Sequence, residues 1–97
     1  MTVTIEPGSK PEPDRQSCRV RPGSLLTWQP AGSLAHTFEG VEFTDGTPDV
    51  QGHTRIKADP AGTSVQIRVR AVQERQGFPY LVWAGGQGHD PEVIVDP

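Results

Sequence analysis

The sequence contains a single cysteine, Cys18, and so has no means of forming an internal disulfide. Small secreted domains commonly depend on disulfides, because a chain of 97 residues buries only a small core. The first residues, MTVTIEPG, also lack the basic and apolar segments of a signal peptide. We therefore expect a cytoplasmic protein, or a periplasmic or secreted one if a signal peptide has been removed.

Long hydrophobic runs and basic runs are missing as well. No stretch approaches the roughly 18 apolar residues of a membrane-spanning helix. The 9 basic residues are scattered among 12 acidic ones, and the arginines mostly alternate with apolar residues, as on a solvated sheet face. We expect a soluble protein that binds neither a membrane nor a nucleic acid.

The chain is rich instead in turn residues and in short alternating segments. It has 11 glycines and 10 prolines, and it has no apolar repeat of helical length. FPYLVWAGG is apolar on both faces and is predicted to lie centrally in its sheet. Residues 30–54 are predicted to hold at most two short strands, one around HTFEG and one around VEFTD. The other predicted strands are TVTIEP, SCRV, SLLTW, TRIKA, SVQIRVRAV and PEVIVDP.

This pattern predicts an all-β fold, a single-domain Greek-key β-sandwich of seven or eight short strands that spans residues 1–97. Alternation assigns side chains to its core: Cys18 with Val20 in one strand, and Trp28 at the end of another. In SVQIRVRAV the residues expected to share the inner face are Val65, Ile67, Val69 and Ala71.

Three landmarks occur in a fixed order along the chain. RVRPGSLLTW is a strand, a Pro-Gly turn and a strand ending in Trp28; HTF begins eight residues after that Trp; GFPYLVWAGG is followed by DPEVIVDP. This order resembles the cupredoxin family of blue-copper β-sandwiches over about residues 17–97. The resemblance implies a cupredoxin-like fold, with His36 at the first histidine-ligand position and Phe78 and Tyr80 at the aromatic pair.

The other copper ligands of the family do not carry over. Val82 stands where the cysteine ligand would be, Gly85 where the second histidine is common, and Asp90 near the methionine position. A type-1 copper site needs the thiolate, so we predict no type-1 centre and no cofactor. The alternative is a copper or zinc site of His36, His89 and Asp90, which the resemblance brings to one end of the sandwich. The competing interpretation is that the histidines lie in separate solvated loops.

Two surfaces are candidates for a partner. Leu81 and Trp83 share the strand face opposite to Tyr80 and Val82. They form a binding patch if that face is exterior, and core if it is covered. The other candidate is a loop end formed by His36, residues 85–90 and the segment 44–53. The acidic stretch 38–49 is predicted to be a solvated loop, because its spacing does not match a calcium-binding loop.

The sequence has no nucleophile elbow, no paired carboxylates on a defined strand and no phosphate loop leading into a helix. We therefore expect a non-enzymatic binding or interaction module with an unidentified protein partner, as a monomer or weak homodimer. The alternative from another class is a metal-binding (copper or zinc) or electron-transfer protein that uses His36 and His89.

Overall fold

The computed structural model describes residues 1–6, 12–13, 17–32, 37–84 and 91–97 of the chain. Within these ranges the chain forms β-strands and no α-helix. The strands are β1 (Thr2–Glu6), β2 (Glu12–Pro13), β3 (Ser17–Val20), β4 (Leu25–Pro30), β5 (Phe38–Phe43), β6 (Arg55–Lys57), β7 (Val65–Arg68), β8 (Gln76–Ala84) and β9 (Glu92–Val95). Eight of these strands have three to nine residues, in agreement with the predicted seven or eight, and β2 is a pairing of only two residues.

The strands form two sheets, with the orders β2-β1-β4-β7 and β3-β9-β8-β5-β6. The pairs β1–β4 and β3–β9 are parallel, and the other pairs are antiparallel. The apolar sides of the two sheets pack against each other, so the predicted all-β sandwich is confirmed. The prediction that the long apolar strand is central is also confirmed, because β8 lies between β9 and β5.

Strand alternation places the core as the sequence predicts at most positions. Cys18 and Val20 of β3 are buried, as are Val65 and Ile67 of β7, and Trp28 is completely buried. Burial of each such aliphatic side chain stabilises the fold by roughly 1.5–3 kcal/mol. The strand side chains with an exposure of 0% are Val3, Ile5, Leu26, Trp28, Phe38, Phe78, Val82, Val93 and Val95.

Three aromatic rings form the centre of this core. Trp28 contacts Tyr80 and Phe43 edge to face, with ring centroids 5.5 Å and 6.0 Å apart, and the centroids of Phe43 and Tyr80 are 5.5 Å apart. Such pairs contribute about 0.5–1.5 kcal/mol beyond burial. Trp28 Nε1 meets no acceptor among the described residues, so packing of the ring must offset the cost of an unpaired buried donor, about 1–3 kcal/mol.

Where the sequence predicts at most two short strands, around HTFEG and VEFTD, the described residues form one strand, β5, over Phe38–Phe43. Gly40 lies inside this strand. It has a φ of 129°, and the pairing with β8 is irregular between Phe38 and Gly40. Glycine therefore marks a β-bulge inside the strand and not a break between two strands.

The alternation of SVQIRVRAV also ends earlier than predicted. β7 stops at Arg68, and Val69 stays buried through an isolated bridge to Asp49, whereas Ala71 is exposed. Arg70 departs from the predicted solvated face. It is half-buried, its Nε donates to the carbonyl oxygen of Thr47 at 2.8 Å, and its guanidinium lies 5.3 Å from the centre of the Phe78 ring.

Candidate interaction surfaces

β8 carries the two residues predicted to mark a partner surface. Its burial alternates: Phe78, Tyr80, Val82 and Ala84 point into the core, while Pro79, Leu81 and Trp83 are half-buried on the other side. The prediction that Leu81 and Trp83 share the face opposite to Val82 is confirmed. The sequence left open whether these two side chains are an exposed patch or part of the core. Their burial is intermediate, since they are neither covered nor fully exposed.

The outer side of the five-stranded sheet surrounds these residues with a few polar groups. Glu42 of β5 is the register partner of Leu81, and Glu92 of β9 is the partner of Pro79. Trp83 lies opposite Gly40 and donates from Nε1 to Oε1 of Glu42 at 3.1 Å. This diagonal contact is within reach of an aromatic side chain across antiparallel strands, and it holds the indole against the sheet.

Ile94 of β9 extends the apolar area, because it is half-buried and alternates with the buried Val93 and Val95. The outer-face patch is defined here by four half-buried apolar side chains of the same sheet face, which are Pro79, Leu81, Trp83 and Ile94. A half-buried tryptophan with a bonded Nε1 is the type of side chain that anchors protein interfaces.

A second apolar area lies at the free edge of the other sheet. A cleft of about 180 Å³ opens there, named the β7-edge cleft. Of the described residues, three large hydrophobic side chains are exposed, and two of them, Leu25 and Val50, line this cleft. The complete lining is Leu25, Asp49, Val50, Gln51, His53, Ile56, Gln66, Ile67 and Arg68.

Asp49 organises one wall of this cleft. Its carboxylate is buried, at 4% exposure, and accepts the backbone N–H of Gln51 on Oδ1 at 3.1 Å and that of His53 on Oδ2 at 3.2 Å. The Nδ1 atom of His53 lies 3.4 Å from Oδ2, and the His53 side chain is itself largely exposed. The prediction of a solvated acidic loop over residues 38–49 is therefore wrong at Asp49, which holds a turn by accepting backbone donors. It is also wrong for residues 38–43, which form β5.

The predicted metal ligands His36, His89 and Asp90 lie outside the described residues. Among the described residues no group of three or more His, Cys, Asp or Glu side chains is placed to hold a metal ion. The strand ends nearest to these ligands in sequence are described. Phe38, the first residue of β5, pairs with Ala84, the last residue of β8. The chain therefore enters β5 and leaves β8 at the same end of the sheet.

The segment 44–53 does not belong to that end. β5 ends at Phe43, which pairs with Tyr80 nearer the start of β8, and Thr44 donates its N–H to the carbonyl oxygen of Pro79 at 3.2 Å. The segment closes on itself there, because Phe43 N–H donates to Thr54. His36 and residues 85–90, the other parts of the predicted loop surface, lie outside the described residues.

Sequence reasoning missed the β7-edge cleft. The outward position of Leu25 was readable, because it alternates with the buried Leu26 and Trp28 in SLLTW. Val50 gave no signal, since it lies among turn residues without a period. Among the described residues no helix is long and apolar enough to cross a membrane.

No protein-family model and no curated protein matches the chain.

Proposed function

We propose that the protein is a non-enzymatic binding module on a cupredoxin-like, Greek-key framework without a type-1 copper centre, and that it binds a protein partner through the outer-face patch. The framework is supported by the placement of the landmark residues. Phe78 and Tyr80 lie on the core side of β8, and Val82, at the place of the missing thiolate, is completely buried among apolar side chains. A valine there fills the core and has no ligand chemistry.

The observation that carries the binding role is the half-buried Trp83 beside the half-buried Leu81 on the outer side of the sheet. A sheet face turned to solvent normally alternates to polar residues, yet the central strand of this sheet presents Pro79, Leu81 and Trp83 in succession. Trp83 also keeps its Nε1 bonded to Glu42, so covering the ring with a partner would leave no unpaired donor. The patch combines low cost of desolvation with a rigid aromatic anchor.

The test compares two lysine substitutions at half-buried outward positions of the two sheets. Leu81→Lys places a charge in the patch, and Thr27→Lys, on the outer side of β4, is the matched control. Immobilised proteins are incubated with lysate of the source organism, and captured proteins are quantified by mass spectrometry. We expect a partner retained by the wild type and by Thr27→Lys and lost from Leu81→Lys. Equal capture by all three contradicts the proposal.

Sedimentation separates a hetero-partner from a weak homodimer. If the wild type sediments as a dimer and Leu81→Lys as a monomer at the same concentration, the partner at the patch is a second copy of the chain. Trp83→Phe, which keeps the ring area and loses the donor to Glu42, should reduce capture less than Leu81→Lys, because the apolar contact is retained.

A copper or zinc site at His36 and His89 is the second candidate. It is favoured by the pairing of Phe38 with Ala84, because His36 is two residues before Phe38 and residues 85–90 directly follow Ala84 in the sequence. Titration with Cu²⁺ followed by electron paramagnetic resonance tests it. A stoichiometric signal that is lost in His36→Ala and kept in His53→Ala supports a metal-binding function. Absence of bound copper and zinc at equimolar concentration contradicts it.

A further inference from the structure

β7 is the last strand of its sheet, and hydrogen bonding defines which of its backbone groups face outward. Val69 donates its N–H to Ser24 on the β4 side, whereas the carbonyl of Arg68 accepts from Val50 N–H at 2.9 Å on the other side. Backbone groups of an antiparallel strand alternate in direction. The N–H and C=O of Gln66 therefore point away from β4, as those of Arg68 do.

The segment 48–50 already pairs with part of this edge. Arg70 N–H donates to Pro48 at 2.8 Å, Asp49 bridges to Val69, and Val50 donates to Arg68. The next outward pair would be at Gln66, but the chain turns away because the carboxylate of Asp49 accepts the N–H groups that follow Val50. Within the described ranges nothing pairs with this side of Gln66.

Apolar side chains surround the uncovered edge. Leu25 and Val50 are 45% and 57% exposed, and Ile56 and Ile67 line the same cleft. The cleft volume of about 180 Å³ is below the roughly 300–1,000 Å³ of sites for small organic ligands. It suits one or two aliphatic side chains, and such small pockets beside a strand edge are what an added peptide strand uses for specificity.

The charged groups of the cleft indicate which charge a bound peptide should carry. Arg68 is exposed at its rim, with one Nη donating to the carbonyl oxygen of Gly23 at 2.6 Å. The acidic residue of the lining, Asp49, is buried and bonded to backbone N–H groups. The rim therefore presents a cation without an exposed carboxylate among its lining residues, which favours an acidic side chain in the occupant.

We propose that the β7-edge cleft binds an extended peptide segment of a partner protein as an additional antiparallel strand. The peptide exchanges backbone hydrogen bonds with Gln66. It thereby continues the pairing along β7 beyond the point where Val50 bonds to Arg68. An acidic residue opposite Gln66 lies diagonally across from Arg68. The residues on either side of it are apolar, because alternation turns them toward Ile56 and Ile67. This site is separate from the outer-face patch.

The experiment is an NMR titration of the ¹⁵N-labelled protein with the peptide Ac-TVEVT-NH₂. We expect saturable shifts of the amide signals of Val50, Gln66 and Arg68, and no shifts at Leu81 or Trp83. The peptide Ac-TVKVT-NH₂ should bind about fivefold more weakly, because it places a cation by Arg68. A third peptide, N-methylated at the glutamate, loses a backbone donor and should cause no saturable shift.

Two protein variants complete the test. Gln66→Pro removes the outward N–H and keeps the β4 side of the ladder, as proline is tolerated on sheet edges. Val50→Lys places a charge in the cleft, and Gln29→Lys, exposed on the outer side of β4, is its control. Binding should be lost from the first two and kept by the control. If circular dichroism shows that the Gln66→Pro variant is unfolded, the results with Val50→Lys and with the N-methylated peptide test the proposal.

Several outcomes overturn the proposal. They are the absence of saturable shifts up to millimolar peptide, equal binding of the N-methylated peptide, and shifts confined to the outer-face patch. A wild-type dimer that Gln66→Pro converts to a monomer would assign the edge to a second copy of the chain and likewise overturn it. Loss of partner capture by Leu81→Lys bears on the outer-face patch alone, so the two functions succeed or fail separately.

Discussion

At the scale of single residues, Asp49 does the most to shape the connection between β5 and β6. Its carboxylate is buried and accepts two backbone N–H groups. Its own N–H donates to Thr47 Oγ1 at 3.1 Å, and Thr47 Oγ1 donates to the carbonyl oxygen of His53 at 2.6 Å. These short-range bonds replace the hydrogen bonds to β7 at the point where the segment after Val50 turns away from that strand. The turn therefore depends on a side chain with two acceptor atoms.

Asp49→Asn is predicted to destabilise the protein by about 1–3 kcal/mol. The amide keeps one acceptor oxygen but directs an NH₂ group at a backbone N–H, which leaves a buried donor unpaired. Urea unfolding followed by circular dichroism measures the change. Asp45→Asn, exposed in the same connection, is the control and should change the stability by less than about 0.5 kcal/mol. Equal midpoints for both variants would contradict the structural role of Asp49.

The sequence predicts the direction of a side chain better than its exposure. Alternation alone correctly placed Leu81 and Trp83 opposite to Val82. Their half-burial depends on neighbours from another strand, such as Glu42, whose position no local pattern contains. Asp49 shows the same limit, because a carboxylate among turn residues is usually solvated and its burial follows from the pairing with Val69.

At the scale of elements, the bulge at Gly40 sets the geometry of β5 between β8 and β6. Gly40 has positive φ, lies opposite Trp83 on one side and Lys57 on the other, and a Cβ there would collide with the carbonyl oxygen of Ile56. The missing side chain lets β6 approach closely.

Gly40→Ala is predicted to cost at least about 3 kcal/mol, because backbone strain adds to a collision with backbone atoms that have no freedom to move aside. Gly52→Ala is the matched control. It also has positive φ, at 81°, but a Cβ there meets nothing within 4 Å. Strain alone should cost it about 1 kcal/mol. Thermal unfolding of both variants measures the difference, and equal losses would show that the contact with Ile56 is unimportant.

Local periodicity was sufficient to locate most strands. It did not give the bounds of a strand where a glycine bulge or pairing with another segment determines them. β1, β3 and β9 lie within predicted segments because their alternation is unbroken, and β4 extends two residues beyond the predicted SLLTW. Around Gly40 the pattern allowed one or two strands, and the structure has one strand that continues through a bulge. The early end of β7 follows from its transfer of pairing to Asp49, which the alternation of SVQIRVRAV does not encode.

At the scale of the whole molecule, the order of the strands in each sheet is the information that local patterns lack. Val3 pairs in parallel with Trp28, and Cys18 pairs in parallel with Val93. Parallel neighbours require the chain to cross over other elements before it returns. The sandwich could be predicted from the number of strands and the spacing of turns. Which residues pair between β1 and β4, and between β3 and β9, could be learned only from the structure.

This topology predicts slow folding for a chain of its length. The pairing of β3 with β9 joins residues near the two ends of the chain, so its loop-closure entropy is lost before its contacts form. We expect refolding in about milliseconds to seconds, as for other sandwiches with non-local pairing. Stopped-flow dilution from urea measures the rate, with Trp28 as the core reporter in a Trp83→Phe background. Val93→Ala should destabilise by about 2 kcal/mol through lost burial at that closing pair. Refolding complete within about 100 microseconds would contradict the prediction.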